Sequence, residues 1–262
     1  MIEAPTRIVI TGASSGIGYA LALAYANPGV KLGLVGRHEQ RLRACADACA
    51  ERGAEVITGV LDVRDSGALT VWLHSFDDVF PIELLIANAG VASTLKDASD
   101  WEGVERIAEV VDTNFYGAVH TILPVVERMR ARKCGRIAMV SSIAALRGMA
   151  ISPAYCASKA AIKAYGDSIR PLLRSHGVGV SIILPGFVKT EMSDVFPGDK
   201  PLMWSADRAA MYIRRKLSAG RAEIAFPGLL VLGMRILPLL PAVIADVILD
   251  QLSYLPQEEG AK

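Results

Sequence analysis

Residues 7–18 read Arg7-Ile-Val-Ile-Thr-Gly12-Ala-Ser-Ser-Gly16-Ile-Gly18. A short β-branched run over 7–11 breaks into a glycine-rich turn, and a helix over 16–26 follows. Strand, turn and helix start in this order form the arrangement that binds a dinucleotide. Gly12 lets the turn tighten, Gly16 lets backbone approach a pyrophosphate, and Gly18 lets the helix pack close to the sheet. The helix start offers free N–H groups and a partial positive charge to the phosphates, with Ser14, Ser15 and Ile17 in the same turn. The spacing is G-x3-G-x-G rather than G-x-G-x-x-G. The glycines alone therefore leave a purely structural turn open.

The rest of the chain repeats the alternation. Strands are expected over 31–35, 55–60, 84–87, 136–140, 178–184 and 223–226. Helices are expected over 38–52, 66–76, 104–132 (interrupted near Pro124) and 154–175, where Gly177 stops the last. Apolar strands alternating with helices imply an α/β, doubly wound (Rossmann) parallel sheet of roughly seven strands, with helices on both faces. No linker or repeat divides the 262 residues, so one domain, 1–262, is expected, with a frayed polar tail over 257–262. Hydrophobic residues make up 52% and charged ones 21%, which excludes a disordered chain. A formal charge of +1 and an aromatic content of 6% argue against a nucleic-acid partner. The N-terminus reads as a first strand, not a signal peptide.

Two further strand ends sharpen the nucleotide reading. Leu61-Asp62-Val63 follows the third strand, where a carboxylate can accept a hydrogen bond from an adenine amino group. Asn88-Ala89-Gly90 follows the fourth. Both lie on the side where open parallel sheets hold ligands. The second strand ends in Val35-Gly36-Arg37. NAD-binding folds usually place an acidic residue there to bind the ribose 2′-hydroxyl. Here Arg37 offers charge-assisted bonds to a 2′-phosphate, and Ser14 can add a hydroxyl. NADP(H) is therefore favoured over NAD(H).

Tyr155-Cys-Ala-Ser-Lys159 places a phenol and an amine four residues apart, on one face of a helix. A nearby ammonium favours the phenolate and lowers an ordinary pKa near 10, which suits Tyr155 to general acid–base work. The other reactive residues form no such pattern. Cys45, Cys49, Cys134 and Cys156 make no CxxC pair and read as buried or half-buried thiols in a reducing compartment. His38, His74, His120 and His176 are scattered, so no metal site is expected.

At this point the chain resembles the short-chain dehydrogenases/reductases, in their roughly 250-residue form. The resemblance covers about residues 6–227 and rests on motifs kept in order: TGASSGIG at 11–18, Asp62, NAG at 88–90, Asn114 in TNFYG, Ser141-Ser142, YCASK at 155–159 and PGFVKT at 185–190. It implies that Ser142, 13 residues before Tyr155, holds a substrate carbonyl, and that Tyr155 transfers the proton. It also implies that Lys159 holds the nicotinamide ribose and tunes Tyr155, and that Asn114 holds a water linking Lys159 to solvent. Pro185, Gly186, Val188 and Thr190 belong to the loop that fixes the nicotinamide carboxamide. The glycine-rich loop lacks the Lys or Arg that some NADP-using members carry. The implied activity is hydride transfer between NADP(H) and a carbonyl or alcohol, reduction being favoured in a reducing cytosol. A non-catalytic NADPH-binding regulator is the competing class.

Downstream, 191–206 contains Met192, Val195, Phe196, Leu202, Met203 and Trp204 around Pro197-Gly198, and reads as a lid over the substrate. With Ala144, Met149 and Ile151 it would form an apolar pocket for an apolar ketone or aldehyde. The extension 227–256 is very apolar, yet Pro238, Pro241 and two glycines disfavour a continuous spanning helix. Its leading use is packing on the fold and on a partner subunit of a homodimer or homotetramer. Peripheral membrane contact through 227–245, serving a lipid-pathway reductase, and shaping of the pocket compete with it. The expected location is cytoplasmic, with a membrane-peripheral variant.

Overall fold

The structure is a computed structural model and describes residues 5–96 and 99–251. In chain order it opens with β1 (Arg7–Thr11), α1 (Gly16–Tyr25), β2 (Lys31–Gly36), α2 (Glu39–Ala50), β3 (Glu55–Val60), α3 (Ser66–Val79) and β4 (Leu84–Ala87). There follow α4 (Val104–Val111), α5 (Gly117–Arg132), β5 (Gly135–Val140), α6 (Pro153–Arg174) and β6 (Val178–Pro185). The last third holds β7 (Val188–Lys189), α7 (Glu191–Asp194), β8 (Trp204–Ser205), α8 (Ala206–Ser218), β9 (Glu223–Phe226), α9 (Gly228–Ile236) and α10 (Ala242–Gln251).

Seven strands form one parallel sheet in the order β3-β2-β1-β4-β5-β6-β9. The first strand shows how the sheet is covered on both faces. Ile8 and Ile10 point into a core shared with Leu21, Leu42 and Ile213 of the helices on one side. Val9, between them, points into a core with Leu73, Ile122 and Ile162 on the other. Successive side chains of a strand face opposite ways, so a strand buried on both faces must be apolar throughout. Crossovers leave β1 in opposite directions, toward β2 and toward β4. The carboxyl ends of β1 and β4 therefore flank the crevice in which such sheets bind ligands.

Three expectations need correction. The long helix over 104–132 is not interrupted at Pro124, which lies inside α5. Fully buried Ile122 and Val125 on either side hold that turn in place and offset the lost ladder bond. The interruption comes earlier, as a π-turn over Asp112–Tyr116. Trp204 is not part of a lid: it stacks on Phe226 at 4.7 Å and meets Tyr212 edge-on at 5.3 Å. β8 then pairs with β7, closing the segment at its far end. Cys134 is exposed, unlike the other three cysteines.

The apolar extension forms α9, a 3-10 turn over Leu237–Leu239, and α10. Val231, Met234, Leu237 and Ala245 pack on Ile182 and Leu184 of β6. Arg235, the one charge between Phe226 and Ala245, pairs with Glu223 of β9. Among the described residues, no helix is long and apolar enough to cross a membrane. The tail 257–262 and the end of the extension, 252–256, lie outside the described residues.

Candidate active site

One cavity of about 950 Å³ runs along the carboxyl edge of the sheet. At its first end backbone packs on backbone. Gly12 has φ +67, and a Cβ there would come within 2.7 Å of the Ala89 Cα. A Cβ on Gly18 would come within 2.2 Å of the Gly12 carbonyl oxygen, so the helix start can lie this close only without side chains. Asn88 locks the contact: its Nδ2 donates to the carbonyls of Thr11 at 3.0 Å and Gly12 at 3.1 Å. The Ser15 side chain makes no capping bond, so the first N–H groups of α1 keep no side-chain partner from it. Gly12, Ser14, Ser15, Gly16, Ile17, Asn88, Ala89 and Gly90 line the cavity, whereas Gly18 lies behind its wall. This Cβ-free cradle at an uncapped helix start fits a nucleotide pyrophosphate.

Further along, Gly36 brings the end of β2 against Ser14: a Cβ on Gly36 would sit 3.2 Å from the Ser14 hydroxyl. Arg37 lines the same wall. So does Arg41, in the first turn of α2, which sequence reasoning missed although it lies four residues after Arg37. Arg41 reaches across to Glu191 of α7 at 2.6 Å. Asp62 and Val63 also line the cavity. The Asp62 carboxylate is shared with Arg64 at 2.6 Å, and that guanidinium holds its carboxyl below the usual range.

At the far end, Ser142 and Tyr155 face the cavity together with Lys159. The Ser142 hydroxyl accepts the Ala144 N–H at 3.1 Å and donates to the Pro185 carbonyl at 3.4 Å. Phe196 packs edge-on against the Tyr155 ring, with centroids 5.5 Å apart. Ser141 also lines the cavity, and its hydroxyl donates to the Lys159 carbonyl at 2.7 Å. Lys159 Nζ donates to the Val140 carbonyl at 3.1 Å and lies 5.7 Å from the Tyr155 ring centre. Asn114 is fully buried behind the cavity wall. It accepts the Val91 N–H at 2.8 Å and donates to the Ser158 hydroxyl at 2.9 Å. The π-turn carries Asn114, and a Cβ on Gly90 would sit 2.9 Å from its Oδ1 and 3.4 Å from Lys159 Nζ. Only glycine at 90 lets those two groups come together.

The expected lowering of the Tyr155 pKa does not occur in this arrangement. Burial pushes the phenol up to about 12, opposed in part by the hydrogen bond with Ser142. Burial also lowers Lys159 to about 8, and among the described residues no carboxylate partner offsets it. A buried phenol beside a buried ammonium holds a proton that can be passed to an oxygen in the cavity. Glu102 is a second residue without a sequence signal. It lies 52 positions before Ala154, whose N–H at the start of α6 donates to its Oε2 at 2.7 Å. It thereby anchors the helix turn that carries Tyr155.

Pro185, Gly186, Val188 and Thr190 line the cavity opposite the glycine turn. Thr190 forms a reciprocal cap with Ser193 and comes within 3.1 Å of a Cβ built on Gly16. The sequence profile of the short chain dehydrogenases matches residues 6–200. The chain belongs to the short-chain dehydrogenase family. It is 35% identical over 240 residues to an uncharacterized oxidoreductase of Myxococcus xanthus, covering 91% of this chain and 94% of that one. It is 31% identical over 260 residues to 11-beta-hydroxysteroid dehydrogenase-like 2 of Arabidopsis thaliana, covering 95% and 82%. Among solved structures, a short-chain dehydrogenase/reductase from Burkholderia phymatum in complex with NAD superposes with a TM-score of 0.81 at 25% identity, over 90% of this chain and 94% of that one. An alcohol dehydrogenase from the archaeon Thermococcus sibiricus, complexed with 5-hydroxy-NADP, superposes with a TM-score of 0.75 at 25% identity, over 84% and 95%. The chain is thus an oxidoreductase of a nicotinamide-using family, and relatives of both cofactor types share its fold.

The lowered Lys159 pKa has a measurable sign. Between about 8 and the ordinary 10.5 the unfolded chain holds a proton on this amine that the folded chain has lost. Stability therefore rises with pH across that window and falls back as pH drops through 8. Urea unfolding of the nucleotide-free protein should show wild type gaining on Lys159→Met over this window. A difference independent of pH would contradict the burial assigned to Lys159.

Proposed function

We propose that this protein is an NADP(H)-preferring carbonyl reductase for apolar ketones or aldehydes, with Tyr155 as general acid. The observation that carries the reading is a buried phenol, a serine hydroxyl and a buried amine gathered where the nucleotide cradle meets an apolar pocket. A bound nicotinamide supplies hydride to a carbonyl carbon, or takes it up from an alcohol.

The chain's own residues do the rest. Ser142 and Tyr155 donate hydrogen bonds to the carbonyl oxygen as negative charge develops there. Tyr155 then gives that oxygen its proton, and the product leaves as an alcohol. A pKa near 12 keeps the phenol protonated at neutral pH, the state that reduction requires. Lys159 holds a positive charge beside the ring and binds the nicotinamide ribose. Asn114 supports the water through which the proton is replaced. Phe196 and Met192 exclude bulk water from the reacting oxygen.

The 2′-phosphate reading rests on Arg37 with Arg41 beside it, and on Ser14 at the end of β2. No carboxylate side chain takes the position after β2 that would repel a phosphate. The chain is further proposed to act as one domain. The covering segment is limited to about 191–203, because Trp204 belongs to the core.

Tyr155→Phe should lower kcat by about 10²–10⁴-fold while leaving nucleotide affinity in place. Near-normal turnover would refute the acid assignment. Wild type should show a higher kcat/KM with NADPH than with NADH, and Arg37→Ala should erase most of the difference. A faster reaction with NADH would overturn the cofactor preference.

A further inference from the structure

The cavity does not end at Tyr155. It continues along the C-terminal helices, where Leu229, Leu230, Gly233 and Met234 of α9 face Ile248 and Leu249 of α10. Residues 229, 230 and 233 fall on one stripe of α9, and Leu237 of the following 3-10 turn continues the cavity wall. Two contacts join this stretch to the reacting end. A Cβ on Gly186 would come within 3.1 Å of Leu230 Cδ2, which sets α9 against the loop after β6. Ile143, the neighbour of Ser142, belongs to the same apolar cluster as Val231 and Met234.

The chemistry of this arm is uniform. Among the described residues, every cavity-lining position from 229 onward is Leu, Ile, Met or Gly. A polar group carried into it would find no side-chain partner, at a cost that disfavours ligands polar at both ends. Three of the lining side chains are also unusually exposed: Leu229 at 72%, Ile236 at 45% and Ile248 at 37%. Apolar surface of this kind, continuous with a reacting centre, gains free energy when an apolar ligand covers it. Gly233 lies at the centre of the stripe, and a Cβ built there meets nothing within 4 Å. It leaves the arm open where any larger residue would narrow it.

We propose that α9 and α10 form an acyl-chain arm of the active-site cavity, which holds the unbranched aliphatic tail of a substrate whose carbonyl lies near one end, and that Gly233 sets the bore of the arm. The proposal rests on the carbonyl-reductase reading and adds the substrate class to it. The substrate is a long-chain aldehyde or ketone, with its oxygen at Ser142 and Tyr155 and its tail along the Gly233 face.

The test uses the full chain with NADPH and a series of straight-chain aldehydes from butanal to dodecanal. Turnover is followed by NADPH absorbance. Binding of the matching 2-alkanones to the nucleotide-loaded protein is followed separately by calorimetry. In wild type, kcat/KM and affinity should both rise by roughly fourfold per methylene until the arm is filled. In Gly233→Phe, and to a lesser degree in Gly233→Leu, the ratio of kcat/KM for dodecanal to that for butanal should fall by roughly tenfold or more, through KM. Both replacements improve helix propensity, and an undiminished thermal midpoint shows that the variants fold. Turnover that ignores chain length overturns the arm and leaves the reductase reading intact. Length-dependent binding that Gly233→Phe weakens, without turnover of any aldehyde, supports the arm and overturns the reductase reading. Neither binding nor turnover overturns both.

Discussion

Between Gly12 and Gly18 there is no room for a Cβ, and the architecture of the cavity follows from that exclusion. The start of α1 rests on the carbonyl of the turn it leaves. The end of β4 rests on the same turn through Ala89, and Asn88 ties the two together. The glycine contacts are backbone against backbone and the Asn88 amide pins them, so the crevice between β1 and β4 has rigid walls and an uncapped helix start. The nucleotide cradle and the placement of Asn88–Gly90 share one geometric cause. Gly90 extends it toward the reacting end, where the absence of a side chain admits Asn114 Oδ1 and Lys159 Nζ together.

Burial then sets the electrostatics. Lys159 sits in the wall with a backbone carbonyl as its hydrogen-bond acceptor, and burial alone lowers its pKa. Tyr155 beside it is pushed the other way, toward the protonated form. Two groups of opposite charge type, nearly matched in water, are driven apart by desolvation: the phenol holds its proton more tightly and the amine less. That divergence keeps the phenol in its neutral, proton-donating form at neutral pH. The cost of holding an amine there is met by a helix whose first turn is anchored by Glu102 and whose length packs on β6 and β5.

Much of this was legible in the residues. Strand boundaries at 7–11, 55–60, 84–87 and 223–226 coincide with the structure, and three of these strands end abruptly at Gly12, Asn88 or Pro227. Motif order identified the family; most of the residues it singles out line one cavity, with Gly18 and Asn114 behind its wall. Other features lay outside what local pattern can carry. Pro124 reads as a break, yet buried neighbours hold its turn, while the π-turn at 112–116 has no compositional mark. Trp204 reads as a lid residue because its partners, Tyr212 and Phe226, are contacts of the fold. Arg41 and Glu102 gain their meaning from residues 150 and 52 positions away. The direction of the Tyr155 shift depends on burial, which an i, i+4 spacing does not report.

The central claim is that one phenol, enclosed with an amine, stands at the meeting point of the nucleotide cradle and the apolar pocket. A crystal structure of the protein with NADP⁺ and a bound alcohol tests it most directly. The Tyr155 and Ser142 hydroxyls should both lie within hydrogen-bond distance of the alcohol oxygen, with the nicotinamide ring on the same side of the cavity. A Tyr155 hydroxyl turned away from that oxygen, or a nucleotide seated elsewhere than on the Gly12–Gly18 turn, would contradict it.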